Sequence, residues 1–261
     1  MKLIANLSLL FTERPLVERF AAAARAGFEG VEIQFPYDVP ADVLRAAAGS
    51  LPIELINVRS ARPDGVGIAT DAGGRALFAE ELDRTLRYAE TLGVRKVNVL
   101  AWAPPPGQSE SETEAALAGN VRLAAERLSP RGIAVVVECV NPVDAPGFWL
   151  RDVGTSLGFL DRLGDDRVRF QLDLYHMART EPDPVGAIAR AGPRIGHLQF
   201  ADAPGRHEPG TGAIHFGSAF AALRAAGYNG AVSAEYRPVG RTEDGLGWMA
   251  EVPAWLGRDR A

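Results

Sequence analysis

The chain has 261 residues with 28 basic and 33 acidic side chains, a formal net charge of −5 and one cysteine. That balance argues against a nucleic-acid backbone or an anionic membrane as principal partner. The lone Cys139 excludes an internal disulfide framework and suits a reducing cytoplasm.

The opening MKLIANLSLLF superficially resembles a signal peptide, but Asn6 and Ser8 interrupt its apolar run and Thr12-Glu13-Arg14 follows. A first strand is expected there, in a cytoplasmic protein with no bilayer-spanning stretch. Apolar runs suited to buried strands then recur at about 3–8, 30–35, 53–58, 96–101, 134–140, 168–173, 195–202 and 231–236. Between them lie helical-period stretches such as LVERFAAAARA, LFAEELDRTLRYAETL and AALAGNVRLAAERL. Ser109 with Glu112, or Ser111 with Glu114, supplies a capping box for the fourth helix.

Gly27, Gly49, Gly93, Gly132, Gly164, Gly192 and Gly227 each fall at the end of a helical stretch shortly before the next strand. Glycine there takes the left-handed conformation that stops a helix without a Cβ clash. Eight strand–helix units have seven internal junctions, so the pattern predicts one (β/α)8 TIM barrel over 1–261, a usual length for that fold. An open doubly wound sheet is the alternative. It would carry a glycine-rich phosphate loop after the first strand, and ANLSLLFTERP has no glycine, so no nucleotide cofactor is expected.

The last four strand runs each end on an oxygen-bearing side chain: Glu138, Asp173, Gln199 and Glu235, separated by 35, 26 and 36 residues. Alone, such a residue is ordinarily an ion-pair partner or a helix cap. At the carboxyl ends of adjacent barrel strands the four converge on one mouth. Strand alternation adds Asn6, Ser8, Glu32, Gln34, Asn57, Arg59, Asn98, Gln171, His197 and Ser233 to the inward face, too many polar groups for an ordinary core. Glu32 is expected to pair with an arginine, and His197 reads equally as a satisfied inner-layer residue. By the same alternation Cys139 points away from Glu138 and reads as packing. An oxygen set without thiolate favours Mg2+ or Mn2+. Two carboxylates beside such an ion suit proton transfer next to a carbonyl, one removing a C–H proton to give an enediolate and the other returning a proton to the neighbouring carbon.

Two loops, 60–67 and 203–212, have the length and glycine content of lids, while Trp102 in AWAPPPGQ forms an apolar wall. Any substrate that carries a carboxylate would need a cation here. Arg59, Arg62, Arg206 and Arg237 are candidates, with loop residues Arg62 and Arg206 preferred. His176, His207 and Asn57 complete the expected substrate contacts, although the default for loop residues His207 and His215 is solvent exposure.

The segments ANLSLLFTERP, GVEIQFPY, VVVECV, FQLDLYH, HLQFAD, GRHEPGTG and SAEYRPVGRTEDGLGW resemble the hydroxypyruvate isomerase family of xylose-isomerase-like barrels, along nearly the whole chain. The resemblance implies interconversion of hydroxypyruvate and 2-hydroxy-3-oxopropanoate without a redox cofactor. It implies Glu138 and Glu235 as the proton-transferring pair and Glu138, Asp173, Gln199 and Glu235 as metal ligands. Two departures stand out. Arg237 replaces a usual lysine in a chain whose only lysines are Lys2 and Lys96, and RPDGVGIATDAGG differs from the usual loop beside the substrate. Isomerisation of a four-carbon 2-oxo-tetronate uses the same residues. A ketose 3-epimerase or inosose-type dehydratase would apply them to a larger polyol, and a non-catalytic sugar-binding barrel would be expected to have lost part of the set. An endonuclease is disfavoured by acidity and few histidines. The expected partner is a small hydroxy-keto acid, and self-association into a homo-oligomer is compatible with the sequence.

Overall fold

A computed structural model describes residues 1–258. The single-domain expectation runs to residue 261, and 259–261 lie outside the described residues. Eight parallel strands close into a barrel in chain order: β1 (Lys2–Asn6), β2 (Val31–Ile33), β3 (Ile53–Asn57), β4 (Lys96–Asn98), β5 (Ala134–Glu138), β6 (Val168–Asp173), β7 (Ile195–Phe200) and β8 (Ala231–Ala234). Closure comes from β1 pairing with β8, with Lys2 opposite Ala231 and Ala5 opposite Ala234. A closed parallel sheet excludes the open doubly wound alternative.

Helices return the chain between strands: α1 (Leu16–Arg25), α2 (Ala41–Ala48), α3 (Arg75–Leu92), α4 (Glu110–Leu128), α5 (Val153–Leu163), α6 (Leu174–Ala178), α7 (Pro184–Ala191) and α8 (Phe216–Ala225), with α9 (Val252–Leu256) after β8. Their amphipathic pattern explains the placement. In α4, Leu117, Val121, Ala124 and Leu128 are buried at helical spacing against the barrel. Of the two capping boxes offered by the sequence, Ser109 with Glu112 forms, while Glu114 instead pairs with Arg162. A second box, Asp152 with Thr155, starts α5 and was not anticipated.

All seven junction glycines adopt positive φ. Gly93, Gly132 and Gly164 are left-handed helical, as expected. Gly49 and Gly192 are not: their ψ values of −117° and −130° lie in a region open to glycine alone, so these two turns need glycine more strictly than the left-handed form would.

Register fixes the upper layer of the barrel. Glu138 lies opposite Gln171, Asp173 opposite Gln199, and Gln199 opposite Ser233. Asp173 ends β6 and its side chain caps α6 by accepting from the Tyr175 amide at 2.8 Å. The short α6 follows at once and puts His176 one turn above Asp173.

Candidate active site

Glu138, Asp173, Gln199 and Glu235 meet at the carboxyl end of the barrel, all buried, and Glu138, Gln199 and Glu235 line a cavity of about 250 Å³. The wall includes Leu9, Phe35, Leu100, Trp102, Val140 and Ala145 on its apolar side and Gln34, Asn57, His176, Arg206 and Arg237 on its polar side.

Glu138 and Glu235 are each held by side-chain amides. Glu138 Oε2 accepts from Asn98 Nδ2 at 2.9 Å and from Gln171 Nε2 at 2.8 Å. Across the barrel, Glu235 Oε1 accepts from Asn6 Nδ2 at 2.9 Å and Gln34 Nε2 at 2.6 Å, and its Oε2 accepts from Arg206 Nη2 at 2.8 Å. Gln171 also donates to Gln199 Oε1 at 2.6 Å, and Gln199 Nε2 donates to Glu32 Oε1 at 2.7 Å. Asn98, Glu138, Gln171, Gln199, Glu32, Asn6 and Glu235 thus form one connected chain of hydrogen bonds.

Charge is crowded there. Burial, then Glu235 and Asp173, push the Glu138 pKa well above the carboxylate range. Burial pushes Glu235 up to about 8, against the opposing pull of Arg206. Asp173 is raised by burial despite Arg206. Three carboxyl groups therefore face a single guanidinium, and ionising all three in this buried site is costly without a further counter-ion.

The residues fit a divalent ion. Asp173 Oδ2 is buried and has no hydrogen-bond partner among the described residues, because Arg206 Nη2 at 3.5 Å and His176 Nε2 at 3.6 Å stand too far away. Carboxylate oxygens of Glu138 and Asp173 lie within 4.8 Å of one another.

Hydrogen bonds assign the proton on His176. Asn141 Oδ1 accepts from the Val143 and Asp144 amides, so its Nδ2 is the group facing His176 Nδ1 at 2.7 Å. His176 Nδ1 accepts, and Nε2 carries the hydrogen toward Asp173 and the cavity. Burial, with Arg206 and Arg179, holds its pKa well below the usual value, so the ring is neutral. His176 is a donor at this mouth, whereas Gln199 presents an oxygen.

Arg206, at left-handed φ 57°, points inward under the ring of Tyr175, 5.1 Å from its centroid. Asn57 lines the cavity with its Oδ1 unpartnered. Arg62 lies elsewhere: it pairs with Asp71 and lines an adjoining recess of about 380 Å³ with Arg59, sharing only Phe35 and Trp102 with the main cavity. His207 bonds the Arg237 carbonyl through Nδ1 at 2.7 Å and does not line the cavity. Glu32 pairs with His197 at 2.6 Å rather than with an arginine, which makes His197 a satisfied inner-layer residue. Cys139 is buried away from the mouth and burial pushes its thiol well up, so it packs and does not react.

Sequence reasoning passed over Asn141, Tyr175 and Asp202. Asp202 accepts from the amides of Ala203, Gly210, Gly212 and Ile214 and ties down the loop that carries Arg206. The available signal was local, an Asn-Pro and an Asp-Ala-Pro turn just past two site strands.

Residues 20–252 match the xylose isomerase-like TIM barrel family. The chain is 37% identical over 253 residues to hydroxypyruvate isomerase of Escherichia coli (strain K12), covering 95% of this chain and 98% of that protein. It is 34% identical to 2-oxo-tetronate isomerase of Pectobacterium atrosepticum, covering 98% of each. Among solved structures, AP endonuclease, family 2, from Brucella melitensis superposes with a TM-score of 0.91 at 35% identity, covering 96% of this chain and 98% of that one.

Proposed function

The chain belongs to the xylose isomerase-like TIM barrel family, and from that membership and the geometry of its mouth we propose that it is an aldose–ketose isomerase interconverting hydroxypyruvate and 2-hydroxy-3-oxopropanoate. The observation that carries the reading is the pair Glu138 and Glu235. Both are buried, they lie across one small cavity, and burial drives both toward holding a proton. Crowded carboxylates favour the state in which one is ionised and the other protonated. A proton transfer between adjacent carbons needs that same pairing.

In the forward direction the ionised carboxylate takes a proton from C3 of hydroxypyruvate, leaving an enediolate across C2 and C3. The protonated one delivers a proton to C2. The hydrogen of the C3 hydroxyl passes to the C2 oxygen, so C3 becomes the aldehyde and no redox cofactor is consumed. Glu138, Asp173, Gln199 and Glu235 are the residues that would hold a divalent ion. A hard oxygen set favours Mg2+ or Mn2+, and the bound ion would act as a Lewis acid on the substrate's oxygens. Asn98 and Gln171 orient Glu138, and Asn6 and Gln34 orient Glu235. Neutral His176 offers an N–H to a substrate oxygen, and Arg206 offers its guanidinium to the carboxylate. The apolar wall of Leu9, Leu100, Val140 and Trp102 keeps water from the enediolate. The lone buried thiol supports a cytoplasmic setting, and no helix of the described residues is long and apolar enough to cross a membrane.

A second reading is favoured by one feature. The Arg59–Arg62 recess opens beside the cavity past Phe35 and Trp102, and would receive the extra carbon of a 2-oxo-tetronate. A DNA substrate finds no support in a chain of net charge −5.

Proton exchange followed by NMR in deuterated water, over hydroxypyruvate, 2-oxo-tetronates and ketohexoses, tests the proposal. Fastest exchange at C3 of hydroxypyruvate is expected. Exchange confined to the four-carbon acid would move the assignment to the second reading, and exchange with ketohexoses alone would overturn both.

A further inference from the structure

Glu32 is fully buried beneath the cavity and touches none of its surface. Its Oε1 accepts from Asn6 Nδ2 at 2.8 Å and from Gln199 Nε2 at 2.7 Å, and its Oε2 accepts from His197 Nε2 at 2.6 Å. His197 Nδ1 faces Lys96 Nζ at 3.3 Å. An ammonium has only hydrogens to offer, so Nδ1 accepts and the ring proton sits on Nε2, aimed at Glu32.

With three N–H donors on its two oxygens, Glu32 accepts from each neighbour it meets, so the Gln199 and Asn6 amides turn their NH2 toward it. We propose that Glu32 is a positioning residue that fixes which atoms of Gln199 and Asn6 face the active cavity. Gln199 is thereby left with its oxygen toward Gln171 and the mouth. Asn6 keeps its second N–H for Glu235 Oε1, and its own Oδ1 accepts from the Ser8 amide. One buried charge sets an oxygen on one side of the mouth and the rotamer of a proton-transferring carboxylate on the other. This rests on the reading of Gln199 as a donor to a divalent ion and of Glu235 as a proton carrier.

Replacing Glu32 by glutamine keeps the shape but puts an NH2 among three N–H donors. Lys96 prevents His197 from reversing its tautomer, so the conflict falls on the amides. The test is a double-mutant cycle of Glu32→Gln and Gln199→Glu, with Mn2+ affinity read by electron paramagnetic resonance. Glu32→Gln is expected to weaken Mn2+ binding about 10–100-fold. Gln199→Glu should also weaken binding in the native background, where it faces Glu32, yet improve binding at least about tenfold in the Glu32→Gln background, where it accepts from the new amide. Unchanged binding in Glu32→Gln, or an equal effect of Gln199→Glu in both backgrounds, overturns the inference.

A metal-free arm separates it from the functional reading. The Gln199 side-chain amide signal, assigned by its disappearance in Gln199→Glu, should carry one proton shifted downfield by its carboxylate partner, and the shift should vanish in Glu32→Gln. If the native protein binds no Mn2+, the functional reading falls while this arm still decides the role of Glu32. Loss of the shift supports that role, and persistence of the shift refutes it. Should Glu32→Gln not fold, Glu32→Asp, which keeps the charge but shortens the reach, takes its place as a single variant: weaker Mn2+ binding and loss of the downfield shift support the role, and native values of both refute it.

Discussion

Arg206 Nη2 lies 2.8 Å from Glu235 Oε2 and 3.5 Å from Asp173 Oδ2, so one guanidinium bridges two of the three carboxylates at the mouth. No other cation makes an ion pair with that cluster among the described residues. Arg206 is therefore placed both to steady Glu235 and to meet an anionic substrate. We expect Arg206→Ala to cost about 1.5–3 kcal/mol in transition-state binding, the usual worth of a charge-assisted hydrogen bond. Arg206→Lys should recover little of it, since an ammonium lacks the paired-donor fork. Arg62 is tied to Asp71 outside the cavity. Pairs of that partly exposed kind are worth about 0–1 kcal/mol, so Arg62→Ala should leave kcat/KM for hydroxypyruvate within about fivefold. Steady-state kinetics of the three variants decide, and the reverse ranking would put the carboxylate in the recess.

The proton-transfer roles predict a different pattern. Glu138→Gln and Glu235→Gln are each expected to lower kcat by about 10²–10⁴-fold with the barrel folded, because each removes one general acid–base group. Turnover should be measured beside circular dichroism and metal content. A folded, metal-loaded variant with near-normal turnover would release that residue from its role.

The crowded carboxylates also make a stability prediction. A carboxyl whose folded pKa exceeds its unfolded value holds an extra proton in the folded state, so raising the pH withdraws stability across the interval between the two. For Glu235 that interval runs from the ordinary 4.5 to about 8, and the raised Glu138 and Asp173 act in the same sense. The melting temperature of metal-free protein should fall as pH rises from about 6.5 to 8, above the range in which the depressed His176 and His197 add stability with rising pH. Added Mn2+ should restore it most at the upper end, because the ion competes with protons for its carboxylate ligands and binds more tightly as pH rises. Thermal melts across that range, with and without chelator, test this. A metal-free melting temperature that rises with pH would contradict the charge balance drawn for the mouth.

Much of this architecture is legible in the chain because it rests on local rules. Strand runs, junction glycines and the Ser109 box each follow from the residues at hand, and the 35-, 26- and 36-residue spacing follows once the barrel is recognised. Pairing across the barrel is less legible. Glu32 and His197 stand 165 positions apart, and only the strand register decides that a histidine rather than an arginine neutralises that acid. Arg62 and Arg206 illustrate the same point. Both sit in glycine-containing loops with no local feature to rank them. Arg62 is captured by Asp71 nine residues on, while Arg206 is turned inward by the fold of its own loop around Asp202. The expectation of two freely closing lids misses the second of these, because four backbone amides converging on one carboxylate leave no trace in composition.

That anchor carries the last prediction. The Asp202 side chain is almost fully buried and accepts from the amides of Ala203, Gly210, Gly212 and Ile214 at 2.8–3.0 Å. Gly212 packs so close that a Cβ there would collide with the Ala203 carbonyl. Asp202→Ala leaves these amides without their acceptor, at about 1–3 kcal/mol for each that water cannot reach. A loss of about 3 kcal/mol corresponds to roughly 6–12 °C in melting temperature for a chain of this size. The site should suffer before the barrel does. Once the loop is untied, Arg206 no longer holds its strained inward conformation. KM for the acid should rise more than kcat falls, and trypsin should cut after Arg206 in the variant well before it cuts the native protein. Mass spectrometry of timed digests identifies the bond. Cleavage at Arg206 with equal rates in native and variant protein would mean that Asp202 does not hold the loop, and that Arg206 is kept in place by its own carboxylate partners.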